Sequence, residues 1–261
     1  MKYAIISDTH IGLPTADLRV LEVAERYRAN GYTVVWLGDV FDLWVDPNAG
    51  RYAELVFCPG DIYVMGNHDY GYRPPDCVRF YPRGLTLEAA GERWYVLHGD
   101  ILDFPYLFAL LKQGRLPVGR LKRWAGGEYE NVYSVLATMP KEELQALMAG
   151  RFTWKLAVWL LPLLYAAIKP AQDVPTYREL TPGPLLPKDV KTIAERVLAF
   201  HQEAEDARGF VLGHLHRPMS GEATLDNRRY AVQVLGAWCD AWPRTVGVLD
   251  DAGFRLEGFD A

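Results

Sequence analysis

Asp8-Thr9-His10, Gly38-Asp39-Val40-Phe41-Asp42, Gly66-Asn67-His68-Asp69, His98-Gly99-Asp100 and Gly213-His214-Leu215-His216 together hold five of the six histidines in a chain of 261 residues. Aspartate, asparagine and histidine form a donor set that takes divalent transition metals. A pair of such ions, held about 3.5–4 Å apart, needs one shared carboxylate and further ligands from separate loops. Asp39 suits the shared position, because it follows an apolar run and a glycine that leaves room. Asp8 and His10 are two apart, so at a strand end both can turn toward one ion. His214 and His216 share that spacing and can each reach a different ion. Asn67 offers a neutral oxygen and His98 a neutral nitrogen. Two divalent cations bring four positive charges, and Asp8 and Asp39 return only two. Such a site stays electron-poor, which favours ionised water and an anionic substrate such as a phosphoester.

The elements that must position these residues are visible around them. Tyr3–Ser7, Thr33–Leu37, Ile62–Met65 and Trp94–Leu97 are short apolar runs that read as buried strands. Leu18, Leu21, Ala24 and Tyr27 recur at helical spacing, with Gly31 as the stop signal. Strands alternating with helices imply an α/β layered fold, with the motifs on loops at the strand ends. After His98-Gly99-Asp100 the pattern turns helical and proline-broken, and Phe152–Ile168 is its most apolar stretch. Asp189–Ala204 reads as an amphipathic helix. Phe210–Leu212, Tyr230–Leu235 and Thr245–Leu249 read as strands, and Phe254–Phe259 pairs back across the turn at Asp250–Gly253. The expected organisation is a discontinuous α/β body, 1–103 plus 188–261, with a helical insertion or cap at 104–187 that ends in a proline-rich connector.

Composition narrows the function. Net charge is −5, which argues against general nucleic-acid binding. The three cysteines are scattered without a CxxC spacing, so the reading is a reducing cytosol without a disulfide framework. Lys155 and Pro162 interrupt the most apolar stretch, which falls short of the about 20 apolar residues a membrane span needs. The N-terminus runs straight into a strand and a ligand motif, so no signal peptide is expected. The basic stretch containing Arg120, Lys122 and Arg123 is read either as a solvated face or as a patch for substrate phosphates or an anionic membrane surface. Trp154 and Trp159, within a segment apolar nearly all round, belong either to the insertion core or to an acyl-chain or interfacial surface. His201 lies outside every motif and is read as a packing residue.

The order DxH, GDxxD, GNHD, HGD, GHxH resembles the calcineurin-like metallophosphoesterase superfamily. That resemblance implies a double β-sheet sandwich flanked by helices. It also implies one ion on Asp8, His10, Asp39 and His216, and a second on Asp39, Asn67, His98 and His214. His68 matches the residue that protonates the leaving oxygen or stabilises the transition state. Asp69 and Asp42 match residues that orient histidines. Carboxylate, amide and imidazole ligands suit two divalent ions, manganese first, with iron, zinc or cobalt as alternatives.

Leu37–Trp44, Gly213–Pro218 and Val234–Trp238 are also similar to the UDP-2,3-diacylglucosamine pyrophosphohydrolases of bacterial lipid A synthesis, which hold acyl chains in a helical insertion. That group typically has Arg at the position of His68. The resemblance implies cleavage of a phosphoester or pyrophosphate bond in a nucleotide- or lipid-linked substrate. With the cysteine usage and the apolar insertion, the expected location is cytoplasmic, with peripheral contact to the inner membrane face through the insertion as the sharper alternative. The alternatives are a general phosphodiesterase or phosphomonoesterase, a nuclease, and a non-catalytic metal-stabilised interaction module.

Overall fold

The structure is a computed structural model. It describes residues 1–100 and 189–259, apart from positions 44, 47, 67, 70 and 71. The expected insertion at 104–187 lies outside the described residues.

Eleven strands are described in chain order. They are β1 (Tyr3–Ile6), β2 (Thr33–Leu37), β3 (Ile62–Val64), β4 (Arg79–Tyr81), β5 (Leu85–Ala89) and β6 (Glu92–Leu97), followed by β7 (Gly209–Leu212), β8 (Met219–Leu225), β9 (Arg228–Val234), β10 (Arg244–Asp250) and β11 (Gly253–Phe259). They form a six-stranded sheet, β11-β10-β1-β2-β3-β4, and a five-stranded sheet, β5-β6-β7-β9-β8. In the first sheet β1 to β4 are parallel, and in the second β6, β7 and β9 are parallel.

The parallel strands are buried on both faces, so their sequences read as continuous apolar runs. Tyr3, Ile5, Val35, Leu37, Ile62 and Val64 point inward and meet Trp94, Val96 and Val211 of the other sheet. Their neighbours Ala4, Ile6, Val34 and Trp36 point outward, under α1 (Arg19–Ala29). Beyond α1 come a single turn, α2 (Ala53–Val56), and α3 (Val190–Phe200). Ile193, Ala194 and Val197 of α3 cover Tyr95, Leu97, Phe210 and Leu212 on the outer face of the second sheet. The result is helix, sheet, sheet, helix, the α/β sandwich expected from the sequence.

Three strands lie where no strand was expected. β4 has three residues, and β5 and β8 sit at sheet edges with partly exposed faces, so none carries a continuous apolar run. The available signal for β8 was Asp226-Asn227, which joins it to β9 with φ of 48° and 62° in a two-residue turn. The helix expected over Asp189–Ala204 runs from Val190 to Phe200. Asp189 is its cap, accepting the Thr192 amide at 2.8 Å. His201 then breaks the helix, and Gln202–Ala204 forms a 3-10 turn. His201 is buried with Nδ1 2.9 Å from the Tyr95 hydroxyl, a packing role.

Candidate metal centre

Loops leaving β1, β2, β3, β6, β7 and β9 meet at one edge of the sandwich. The Gly213 amide donates to His98 O at 2.9 Å, and the Trp238 amide to Asp8 O at 3.0 Å. The His214 amide reaches both Asp8 carboxylate oxygens, at 3.0 and 2.9 Å. The His68 amide donates to Asp39 Oδ1 at 2.7 Å. Each motif is thus fixed by the backbone of another.

The conformation at these loops differs from the extended strand end that the i, i+2 spacing suggested. Asp8, His10, Asp39, His214 and His216 all lie at positive φ, between 46° and 65°. Non-glycine residues rarely adopt this region, and each costs on the order of 1–3 kcal/mol. Local propensity does not explain five such residues converging on one point.

Glycines make the convergence possible. A methyl at Gly66 would overlap the Asp39 amide and carboxylate, and one at Gly213 would overlap Ser7 and Asp8. Gly66→Ala is therefore expected to lower the unfolding free energy by about 1–3 kcal/mol, the range of overpacking. Urea unfolding of the variant measures it, and an unchanged midpoint would mean that the Asp39 loop has slack.

Among the described residues the side chains form three overlapping groups of potential ligands. They are His10, Asp39 and His68; Asp39, His98 and His214; and His10, His216 and Cys239. Asp39 belongs to two of them. Its Oδ1 is taken by the His68 amide, while Oδ2 lies 3.1 Å from His98 Nε2 and 3.7 Å from His10 Nε2. Asp8 Oδ1 lies 3.4 Å from His216 Nε2.

Each of three rings has its other nitrogen committed. His10 Nδ1 is 3.1 Å from Asp42 Oδ2, His98 Nδ1 is 3.0 Å from Leu37 O, and His216 Nδ1 is 2.7 Å from Asp240 Oδ2. Such outer acceptors fix the tautomer and aim Nε2 at a ligand. His10 Nε2 and His216 Nε2 face each other at 3.3 Å. Two imidazole nitrogens so oriented need a cation between them, whether proton or metal. The donor chemistry and this opposition fit a divalent metal.

Charge coupling among these side chains follows the same logic. Burial alone would raise the Asp8 carboxyl, but the bond to His216 and the nearby histidine charges bring it down to about 2. Burial opposes charge on His98 too, yet the Asp39 carboxylate pushes it up to about 10. His216 rises to about 12, burial being outweighed by Asp8 and Cys239. The carboxylates hold protons on the rings where cations would otherwise sit, so protons compete with metal.

His68 is part-exposed, its Nδ1 2.9 Å from Asp42 Oδ2, and its ring packs edge-on against His10 with centroids 4.7 Å apart. Asp42 therefore serves His10 and His68 together. Asp69 accepts the Val40 and Phe41 amides, at 3.0 and 2.7 Å, so it holds the loop that carries Asp39. Burial and the Asp39 charge push its carboxyl up to about 6 despite those amides. The sequence reading did not include Cys239 and Asp240. The signal was their place directly after Val234–Trp238, which that reading had already singled out. Asn67, Arg120, Lys122, Arg123, Trp154 and Trp159 lie outside the described residues.

The sequence profile of the calcineurin-like phosphoesterases matches residues 1–218. The chain belongs to that family. It is a phosphoester hydrolase with candidate ligand groups for the divalent metals that family uses. Among characterised relatives of this phosphoesterase, the UDP-2,3-diacylglucosamine hydrolase of Chromohalobacter salexigens is 24% identical over 277 residues, covering 99% of this chain and 98% of the relative. An archaeal phosphodiesterase structure is 14% identical, with a TM-score of 0.41, over 99% of this chain and 100% of that one. A predicted phosphoesterase from Streptococcus pneumoniae is 15% identical, with a TM-score of 0.36, over 99% and 97%. Among the described residues no helix is long and apolar enough to cross a membrane.

Proposed function

We propose that this hydrolase works with two divalent ions, manganese first, and cleaves a phosphoester or pyrophosphate bond in a nucleotide- or lipid-linked substrate. The observation that carries the reading is Asp39 Oδ2, placed between His98 Nε2 at 3.1 Å and His10 Nε2 at 3.7 Å. One carboxylate oxygen between two imidazoles from different sheets is the arrangement a shared ligand requires. Asp8, His10, Asp39 and His216 would hold one ion. Asp39, Asn67, His98 and His214 would hold the other. When bound, such ions supply Lewis acidity and bring the pKa of water from about 15.7 to roughly 7.

The protein's own groups do the rest. Asp42 Oδ2 lies 2.9 Å from His68 Nδ1 and orients the ring. Burial works against protonation of His68, but Asp42 and Asp39 raise its pKa above the ordinary histidine value. That shift favours the protonated ring, and in this reading His68 gives a proton to the departing oxygen. Asp69 fixes the Asp39 loop through two backbone amides. In this reading the segment 104–187 supplies substrate contacts, with Arg120, Lys122 and Arg123 as candidates for phosphate and Trp154 and Trp159 as candidates for acyl groups.

The substrate class is supported by the likeness to a UDP-2,3-diacylglucosamine hydrolase along nearly the whole chain. Manganese-loaded protein is expected to cleave UDP-2,3-diacylglucosamine at least about 100-fold faster, by kcat/KM, than bis-nitrophenyl phosphate. About 2.7 kcal/mol of differential transition-state binding gives that ratio. Equal rates across the lipid-linked compound, soluble nucleotide diphosphates and nitrophenyl esters would favour a general phosphodiesterase instead.

A further inference from the structure

The two halves of the centre do not carry the same donors. Asp39, His98 and His214 offer oxygen and nitrogen alone. The other half adds sulfur. Cys239 Sγ and one ring nitrogen each of His10 and His216 all lie within 4.8 Å of one another. Cys239 is buried, at 9% exposure.

The loop that carries Cys239 is pinned on both sides. The Trp238 amide donates to Asp8 O at 3.0 Å, and the Trp242 amide to Asp240 Oδ1 at 2.9 Å. Asp240, the next residue, orients His216 through Nδ1 at 2.7 Å. One short loop after β9 thus delivers both a sulfur and the carboxylate that aims its neighbouring nitrogen. The facing Nε2 atoms of His10 and His216, 3.3 Å apart, mark where the cation goes.

We propose that Cys239 is a thiolate ligand of the ion held by His10 and His216, which makes the centre asymmetric. This rests on the two-ion reading above. On binding, the thiol proton leaves to solvent and a sulfur–metal bond forms. Thiolate is a soft ligand that selects zinc or iron, whereas oxygen and imidazole donors also suit manganese. The His10–His216 position therefore prefers zinc or iron, and the manganese preference belongs to the His98–His214 position.

The test uses the full chain with Cys58→Ser and Cys77→Ser, so that Cys239 is the sole remaining thiol. Bound ions are counted after dialysis against zinc or cobalt. Zinc X-ray absorption then looks for a sulfur neighbour at about 2.3 Å, and near-ultraviolet spectra of the cobalt form look for sulfur-to-metal charge transfer. The expected result is one sulfur for each pair of ions, lost on adding Cys239→Ser. Two ions bound without any sulfur neighbour overturn the inference and leave the two-ion reading standing. Failure to bind ions at all overturns that reading, and the inference with it. Should Cys239→Ser not fold, the absorption spectrum of the parent with Cys239 as sole thiol decides alone.

Discussion

Asp39→Asn will fold, bind fewer than two ions and lose at least about 10³-fold in kcat, more than the loss of a single electrostatic contact to the transition state. The geometry decides how the amide sits. Asp39 Oδ1 accepts the His68 backbone amide at 2.7 Å, and asparagine must keep its oxygen there, because an NH₂ would face an N–H. The NH₂ is then forced into the Oδ2 position, facing His98 Nε2 and His10 Nε2. It has no lone pair to give, so the shared position changes from ligand to donor. The substitution is nearly isosteric and retains the loop contact, which is why the fold survives. Metal analysis after dialysis against manganese, alongside kinetics, measures the outcome. Two ions and the parent rate in the variant would end the shared-ligand assignment.

A second signature of Asp39 needs no metal. Its carboxylate raises the His98 pKa to about 10 against the burial penalty. A raised histidine contributes stability that is complete below the unfolded value of about 6.5 and is lost as pH rises through about 10. Urea unfolding of the metal-free parent should therefore weaken across that window. In Asp39→Asn the decline should be smaller by the share of His98, which has lost its main charge partner, while the share of His216, raised by Asp8 and Cys239, remains.

Legibility in the sequence followed burial and chain proximity. Asp8, Asp39 and His98 each follow a strand buried on both faces, and such strands advertise themselves as unbroken apolar runs. β8 hid because an edge strand containing Ser220, Gly221 and Glu222 carries no such run. The spacing of Asp8 and His10 was visible, but their left-handed backbone was not, since it is imposed by contacts with the Asp39 loop. The Asp8 amide donates to Gly38 O at 3.1 Å, and the His10 amide to Asp39 O at 2.8 Å. Orienting contacts were hardest to read. The motif resemblance already marked Asp42 as a residue that orients a histidine, but Asp240, 24 residues from His216, belongs to none of the five motifs, so no pattern joins them. Asp69 shows the limit of motif order, which gives a residue its place but not its contact. The sequence expectation joined Asp69 to a histidine, whereas its carboxylate bonds to the Val40 and Phe41 amides.

His68→Ala should separate chemistry from metal binding. The backbone of His68 does the structural work: its amide holds Asp39 Oδ1, and its carbonyl accepts the Leu43 amide at 3.2 Å. Alanine keeps both. His10 loses an edge-on ring neighbour but stays anchored by Asp42 at 3.1 Å. Two ions should therefore remain bound, while kcat falls by about 10²–10⁴-fold, the range of general acid catalysis. Leaving-group chemistry gives the sharper readout. An alkyl phosphoester expels an alkoxide, a basic oxygen that needs a proton, whereas nitrophenolate departs without one, so the deficit should shrink strongly on nitrophenyl esters. The parent's kcat should fall as pH rises through the elevated His68 pKa, because the acid must be protonated, and the variant should lack that limb. If metal content instead drops in parallel with rate, or the deficit is the same for both leaving groups, His68 is a structural support of the His10 side of the centre and the departing oxygen takes its proton from elsewhere.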